Sequence, residues 1–222
     1  MNRPGELSIP RIAGAADVES GLAALFALDP RLALVAERAG PLPLRLEEPG
    51  YAGLARIVVG QMVSRASADA IWRRLEAEAG RVTAEAYLGL DGETYRRVGL
   101  SRAKHATLTA VALAETAGEI DLTHLCSLPA ADALRRLTAI RGVGPWTAEV
   151  YLLFCAGHPD IFPAGDIALQ NAVAHALGLK ARPAARQLVE IAAEWQPWRG
   201  VAARLFWAYY SREMKRSVLP VG

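Results

Sequence analysis

Apolar residues recur at helical spacing along almost the whole chain, and nowhere do they alternate over a run long enough to make a half-buried strand. Alanine and leucine, both strong helix formers, fill much of that pattern. An all-α fold is expected, with helices over about residues 18–28, 30–39, 51–63, 66–79, 83–89, 102–117, 130–139, 145–156, 167–177, 184–194 and 198–214. The punctuation agrees with this division. Asp17 and Thr83 suit N-caps, Pro129, Pro145 and Pro183 suit first helical turns, and Gly40, Gly80, Gly118 and Gly178 suit C-terminal stops.

The chain has 222 residues, of which 52% are hydrophobic and 22% charged. That excludes a disordered protein, and no apolar run reaches the roughly 18 residues of a membrane helix. Two helical lobes with a cleft between them are expected. Residues 1–16 read as a loose polar leader without a secretory h-region, 17–50 as helices packing with the C-terminal lobe, 51–128 as one lobe, and 129–222 as the other. Cys126 and Cys155 have no C-x-x-C spacing, so neither a disulfide framework nor an iron–sulfur cluster is expected, and the compartment is read as intracellular. His105, His124, His158 and His175 lack metal-ligand spacing.

Lys plus Arg total 25 against 23 Asp plus Glu, a formal charge of +2. Bulk charge of that size does not mark a nucleic-acid binder, so any basic surface must be local. The lysines are Lys104, Lys180 and Lys215 alone, which removes most amine-based chemistry.

The most specific stretch is residues 137–153, LTAIRGVGPWTAEVYLL, where two helical patterns flank the turn Arg141-Gly142-Val143-Gly144. Two glycines around one apolar residue let the backbone turn sharply and present amides at the start of the next helix, whose first N–H groups lack internal partners. Pro145 and Thr147 fit that helix start, and the helix dipole adds attraction for a phosphate. A dinucleotide-binding fingerprint does not fit, because a helix precedes the glycines and the third glycine is missing. An ordinary helix–helix turn remains the plain alternative.

Ile140-Arg141-Gly142-Val143-Gly144 followed by Trp146-Thr147-Ala148 resembles the helix-hairpin-helix of DNA repair glycosylases. Three further segments resemble the 3-methyladenine DNA glycosylase II family in the same order: 57–64 (IVVGQMVS), 99–104 (GLSRAK) and 195–203 (WQPWRGVAA). The likeness runs from about residue 20 to 214, in a compact form without the N-terminal β domain of longer members. It implies that the hairpin grips the DNA backbone without reading sequence, often with a sodium or potassium ion on hairpin carbonyls. Arg141, Gly142, Gly144 and Thr147 would make that contact.

The resemblance also assigns an essential carboxylate. Asp166, in the loop Phe162-Pro163-Ala164-Gly165-Asp166 before a helix, reads by itself as an N-cap, and the family pattern makes it catalytic. Cleavage of an N-glycosidic bond builds oxocarbenium character at C1′, which a nearby negative charge stabilises. Bifunctional members carry a lysine where this chain has Trp146, so the implied enzyme is monofunctional and uses water rather than an amine. Met62 matches the family's wedge into the duplex, although its bare sequence reading is a core side chain. Gln61 and Ser64 beside it are candidate contacts to bases or phosphate, and Arg65, Arg102 and Lys104 are candidate phosphate contacts.

Trp146 and Trp207 match pocket positions, where an aromatic face would hold a cationic alkylated purine; Trp195 and Trp198 read as packing. Ile167, Ala168 and Ala208 stand where bulky residues often line the pocket, which implies a more open site and a broader lesion range. The expected partner is double-stranded DNA with alkylated bases, bound by a monomer that needs no redox cofactor and no membrane. Two other readings stay open, a hairpin glycosylase for another lesion and a noncatalytic damage-sensing DNA-binding protein.

Overall fold

A computed structural model describes residues 11–214. The fold is all-α. In chain order the helices are α1 (Ala15–Leu28), α2 (Arg31–Ala39), α3 (Tyr51–Gly60), α4 (Arg65–Ala79), α5 (Ala84–Leu88), α6 (Thr94–Val98) and α7 (Arg102–Thr116). They continue with α8 (Leu122–Leu125), α9 (Ala130–Thr138), α10 (Pro145–Phe154), α11 (Ile167–Ala176), α12 (Ala185–Ala192) and α13 (Arg199–Glu213), and a 3₁₀ turn at Ala193–Trp195 precedes α13. Two of these, α6 and α8, lie outside the expected helices. With five and four residues they are too short to show a 3.6-residue period.

The helix stops fall where glycine was expected: Gly40, Gly80, Gly118 and Gly178 all have φ between 64° and 72°. Thr83 caps α5 by accepting from the Ala86 amide at 3.1 Å. Asp17 does not cap in the expected way. It lies inside α1, and its carboxylate reaches back to the Ala13 and Gly14 amides, both at 2.8 Å, fastening the chain as it enters the helix. That corrects the leader's boundary. Ile12 is buried and donates its amide to Gly157 at 2.8 Å, so the described end of the supposed loose segment is packed, while residues 1–10 lie outside the described residues.

Helix α13 packs against α1, α2 and α11, whereas α3 packs against α4 and α7, and α5 against α7. Helix α10 joins the two groups, packing against α9 and α3 and stacking its Phe154 on Trp207 of α13. Seven of the ten α10 residues are buried, among them Tyr151 and Phe154, and every residue of α13 from Gly200 to Tyr210 is buried. Burying aromatic side chains of this size on both helices contributes on the order of 2 kcal/mol each and makes α10 a rigid strut. The Arg204 guanidinium, buried over the Phe154 ring, donates to the carbonyls of Arg45 and Leu153, both at 2.9 Å, which ties the non-helical residues before α3 to that strut.

Candidate active site and DNA-facing surface

Helices α9 and α10 form the expected hairpin. Val143 closes the turn by donating to the Ile140 carbonyl at 3.1 Å, and Pro145 begins α10. The two hairpin glycines are not equivalent. Gly142 has φ +90°, and a Cβ there would overlap Thr107 Oγ1 of α7. Gly144 has an ordinary φ of −84° and open surroundings. Among the described residues the amides of Gly142, Gly144 and Trp146 donate to no backbone carbonyl, leaving the orphan donors an anion would fill. The carbonyls of Arg141, Gly142 and Val143 likewise accept no backbone amide there.

Asp166 is an N-cap as well as the proposed reacting carboxylate. Its Oδ1 accepts from the Leu169 amide at 3.0 Å, at the start of α11. The indoles of Trp146 and Trp207 converge on the same carboxylate, Nε1 of Trp146 donating to Oδ2 at 2.9 Å and Nε1 of Trp207 to Oδ1 at 3.4 Å. Three N–H groups from three helices thus fix the plane of one half-buried carboxylate. Its neighbours Gly165 and Ile167 are exposed, Ile167 at 60%, so the group lies at an accessible surface.

The indole roles differ from expectation. Trp146 is half-buried. Trp207 is 0% exposed and stacks on Phe154 with centroids 5.6 Å apart, so it presents no face to a base and serves instead as a fixed donor to Asp166. Trp195 is packed as expected, its N–H donating to Asp29 at 3.0 Å. Of the three small pocket residues, Ala168 and Ala208 are buried, which leaves Ile167 beside the carboxylate as the accessible one.

Met62 is 100% exposed in the loop between α3 and α4, with φ +56°. Both facts contradict a core role, since a β-carbon in the left-handed region costs roughly 1–3 kcal/mol and a free methionine gains no burial in return. Several candidate DNA contacts, however, are engaged within the protein. Thr147 is buried and its hydroxyl accepts from Gln61 Nε2 at 2.9 Å. Lys104 donates through Nζ to the Val59 carbonyl at 2.8 Å, satisfying the C-terminal end of α3, and burial pushes its ammonium below the usual lysine range. Ser64 caps α4 through the Ser67 amide at 3.2 Å. Thr147 and Lys104 therefore act in folding the site, a correction that sequence separations of 86 and 45 residues for the Gln61 and Lys104 bonds had hidden, whereas the capping Ser64 stays exposed. Arg65, Arg102 and Arg141 are exposed and form no ion pair among the described residues.

The hairpin and its indole-held carboxylate bring together the elements that the resemblance to helix-hairpin-helix DNA glycosylases implies. No protein-family model matches the chain. Its fold aligns with a DNA-3-methyladenine glycosidase of Bacillus halodurans at TM-score 0.76 and 27% identity, covering 88% of this chain and 91% of that one. It also aligns with the 3-methyladenine DNA glycosylase Mag1 of Schizosaccharomyces pombe, solved with abasic DNA, at TM-score 0.78 and 26% identity, over 90% and 99% of the two chains. YfjP of Bacillus subtilis is 29% identical over 185 residues, 79% of this chain; the chain thereby spans 63% of YfjP. In fold and sequence the chain is similar to helix-hairpin-helix DNA glycosylases, and the relatives named above are 3-methyladenine DNA glycosylases or glycosidases.

Proposed function

We propose that this chain is a monofunctional glycosylase that removes alkylated bases such as 3-methyladenine from duplex DNA. One observation carries the reading: the Asp166 carboxylate, held by two indole N–H groups, opens beside the hairpin whose amides lack partners. The hairpin amides and Arg141 take a backbone phosphate. Met62 fills the gap left by an extruded nucleotide, and the half-buried Trp146 ring meets its base.

Alkylation at purine N3 or N7 makes the base cationic, and it departs as a neutral base with the bonding electron pair. The carboxylate stabilises the positive sugar left behind and orients a water, which adds to C1′ and passes its proton to the carboxylate or solvent. Preorganised donors keep that carboxylate from rotating as charge develops. Trp146 stands in the place of a Schiff-base lysine, so no strand cleavage follows. The carbonyls of Arg141, Gly142 and Val143, which accept no backbone amide among the described residues, would be the ones to hold a sodium or potassium ion that braces the phosphate grip, and the reading invokes no redox cofactor. The protein is read as a monomer acting where DNA is. Among the described residues no helix is long and apolar enough to cross a membrane.

The test is to incubate the protein with alkylated duplex DNA and identify the freed bases. Release by the wild type, lost in Asp166→Asn with DNA binding retained, supports the reading, and the same loss in cells separates it from a noncatalytic sensor. The open side of the site at Ile167 leads us to expect N1-alkylated or etheno adducts among the substrates as well. Activity on 3-methyladenine alone across a lesion panel would refute that breadth.

A further inference from the structure

Three contacts close a triangle around the wedge loop. At one corner Lys104 of α7 donates to Val59 near the end of α3. At the second, the end of α3 is joined to α10 by Gln61 donating to Thr147. At the third, the hairpin returns to α7, where Gly142 presses against Thr107 so closely that no side chain fits. The exposed Met62 follows Gln61 directly, with its backbone in the left-handed region. Neighbouring residues on one turn of α10 thus do separate work: Gly144 offers the amide end, Trp146 holds Asp166, and Thr147 holds the wedge loop.

We infer that Gln61, Thr147 and Lys104 are positioning residues that fix Met62 at a set distance from the phosphate grip and the carboxylate, so that gripping the strand and filling the stack are one event. This rests on the glycosylase reading for its DNA substrate. A buried threonine hydroxyl would be a costly choice for packing alone, since Val has the same shape without a polar atom to satisfy. The Gln61–Thr147 bond links the two functional elements across the lobes. A wedge free to swing would enter the duplex in only a fraction of bound complexes.

The experiment follows 2-aminopurine fluorescence next to an abasic analogue in duplex DNA at saturating protein. Met62→Ala sets the signal without a wedge. Thr147→Val and Gln61→Ala should lower the flipped fraction toward that value, with the equilibrium shifted about five- to tenfold, the effect of one lost hydrogen bond. Thr147→Ser should restore it. Affinity for undamaged duplex and the helical circular dichroism spectrum should stay unchanged, which a general loss of folding would not allow. Wild-type fluorescence in Thr147→Val and Gln61→Ala, or no effect of Met62→Ala, overturns the inference. If the fluorescence behaves as expected while the wild type frees no base, the positioning role stands and the enzymatic reading fails.

Discussion

The hairpin with its carboxylate and the wedge loop with its supports differ in how their geometry is stored. In the first, residues 130–169 carry nearly everything in a short span: two helices, a tight turn, an N-cap and one indole. In the second, the loop at Gln61–Ser64 is held by partners on α7 and α10 that lie far along the chain. Chemistry sits on the locally encoded side, and alignment of the DNA depends on long-range bonds. Substitutions should therefore fail differently on the two sides.

The largest effect is expected within the turn. Gly142→Ala forces a β-carbon into the left-handed region and against Thr107, and should cost about 2–3 kcal/mol of stability in denaturant melts, with loss of duplex binding. Gly144→Ala, at ordinary φ in open space, should cost no more than about 1 kcal/mol. Equal losses would mean that the hairpin does not dock on α7 as described.

The two cations beside the wedge should separate next. Arg65→Ala should lower the slope of log binding constant against log salt by roughly 0.9, as expected for one released counterion. Lys104→Met should leave that slope nearly unchanged and cost about 1 kcal/mol of stability through the unsatisfied Val59 carbonyl. A reversed pattern in salt titrations would return Lys104 to the phosphate contacts.

A smaller effect tests α10 itself. Burial pushes the Glu149 carboxyl up to about 7 from its ordinary 4.5. The folded protein then holds that proton more tightly than the unfolded chain, so the group's stability is fully present below pH 4.5 and is lost as pH rises through 7. Glu149→Gln should match the wild type near pH 4.5 and exceed it by about 1–2 kcal/mol at pH 8. Thermal melts across that range check the sign, and a variant less stable at pH 8 would contradict it.

Helix periodicity, the glycine stops and the Gly-x-Gly turn made most of the fold legible in the sequence, because each depends on residues a few positions apart. The N-cap role of Asp166 was legible for the same reason, its loop and its capped amide being local. Trp207 was misread because an indole suits a stacking face and a buried N–H donor equally, and only packing against Phe154 decides between them. Lys104 and Thr147 were misread because a polar residue beside a DNA-binding motif looks the same whether it faces solvent or a carbonyl from another helix. Short α6 and α8 were hidden by their length.

Hydrolysis assisted by the indole-held carboxylate of Asp166 is open to one direct measurement. Single-turnover release of 3-methyladenine from duplex DNA, at saturating enzyme, compares Asp166→Asn with the wild type. A rate lower by about a hundredfold or more, with duplex affinity unchanged, is the expected result. A rate within a few-fold of the wild type would contradict it.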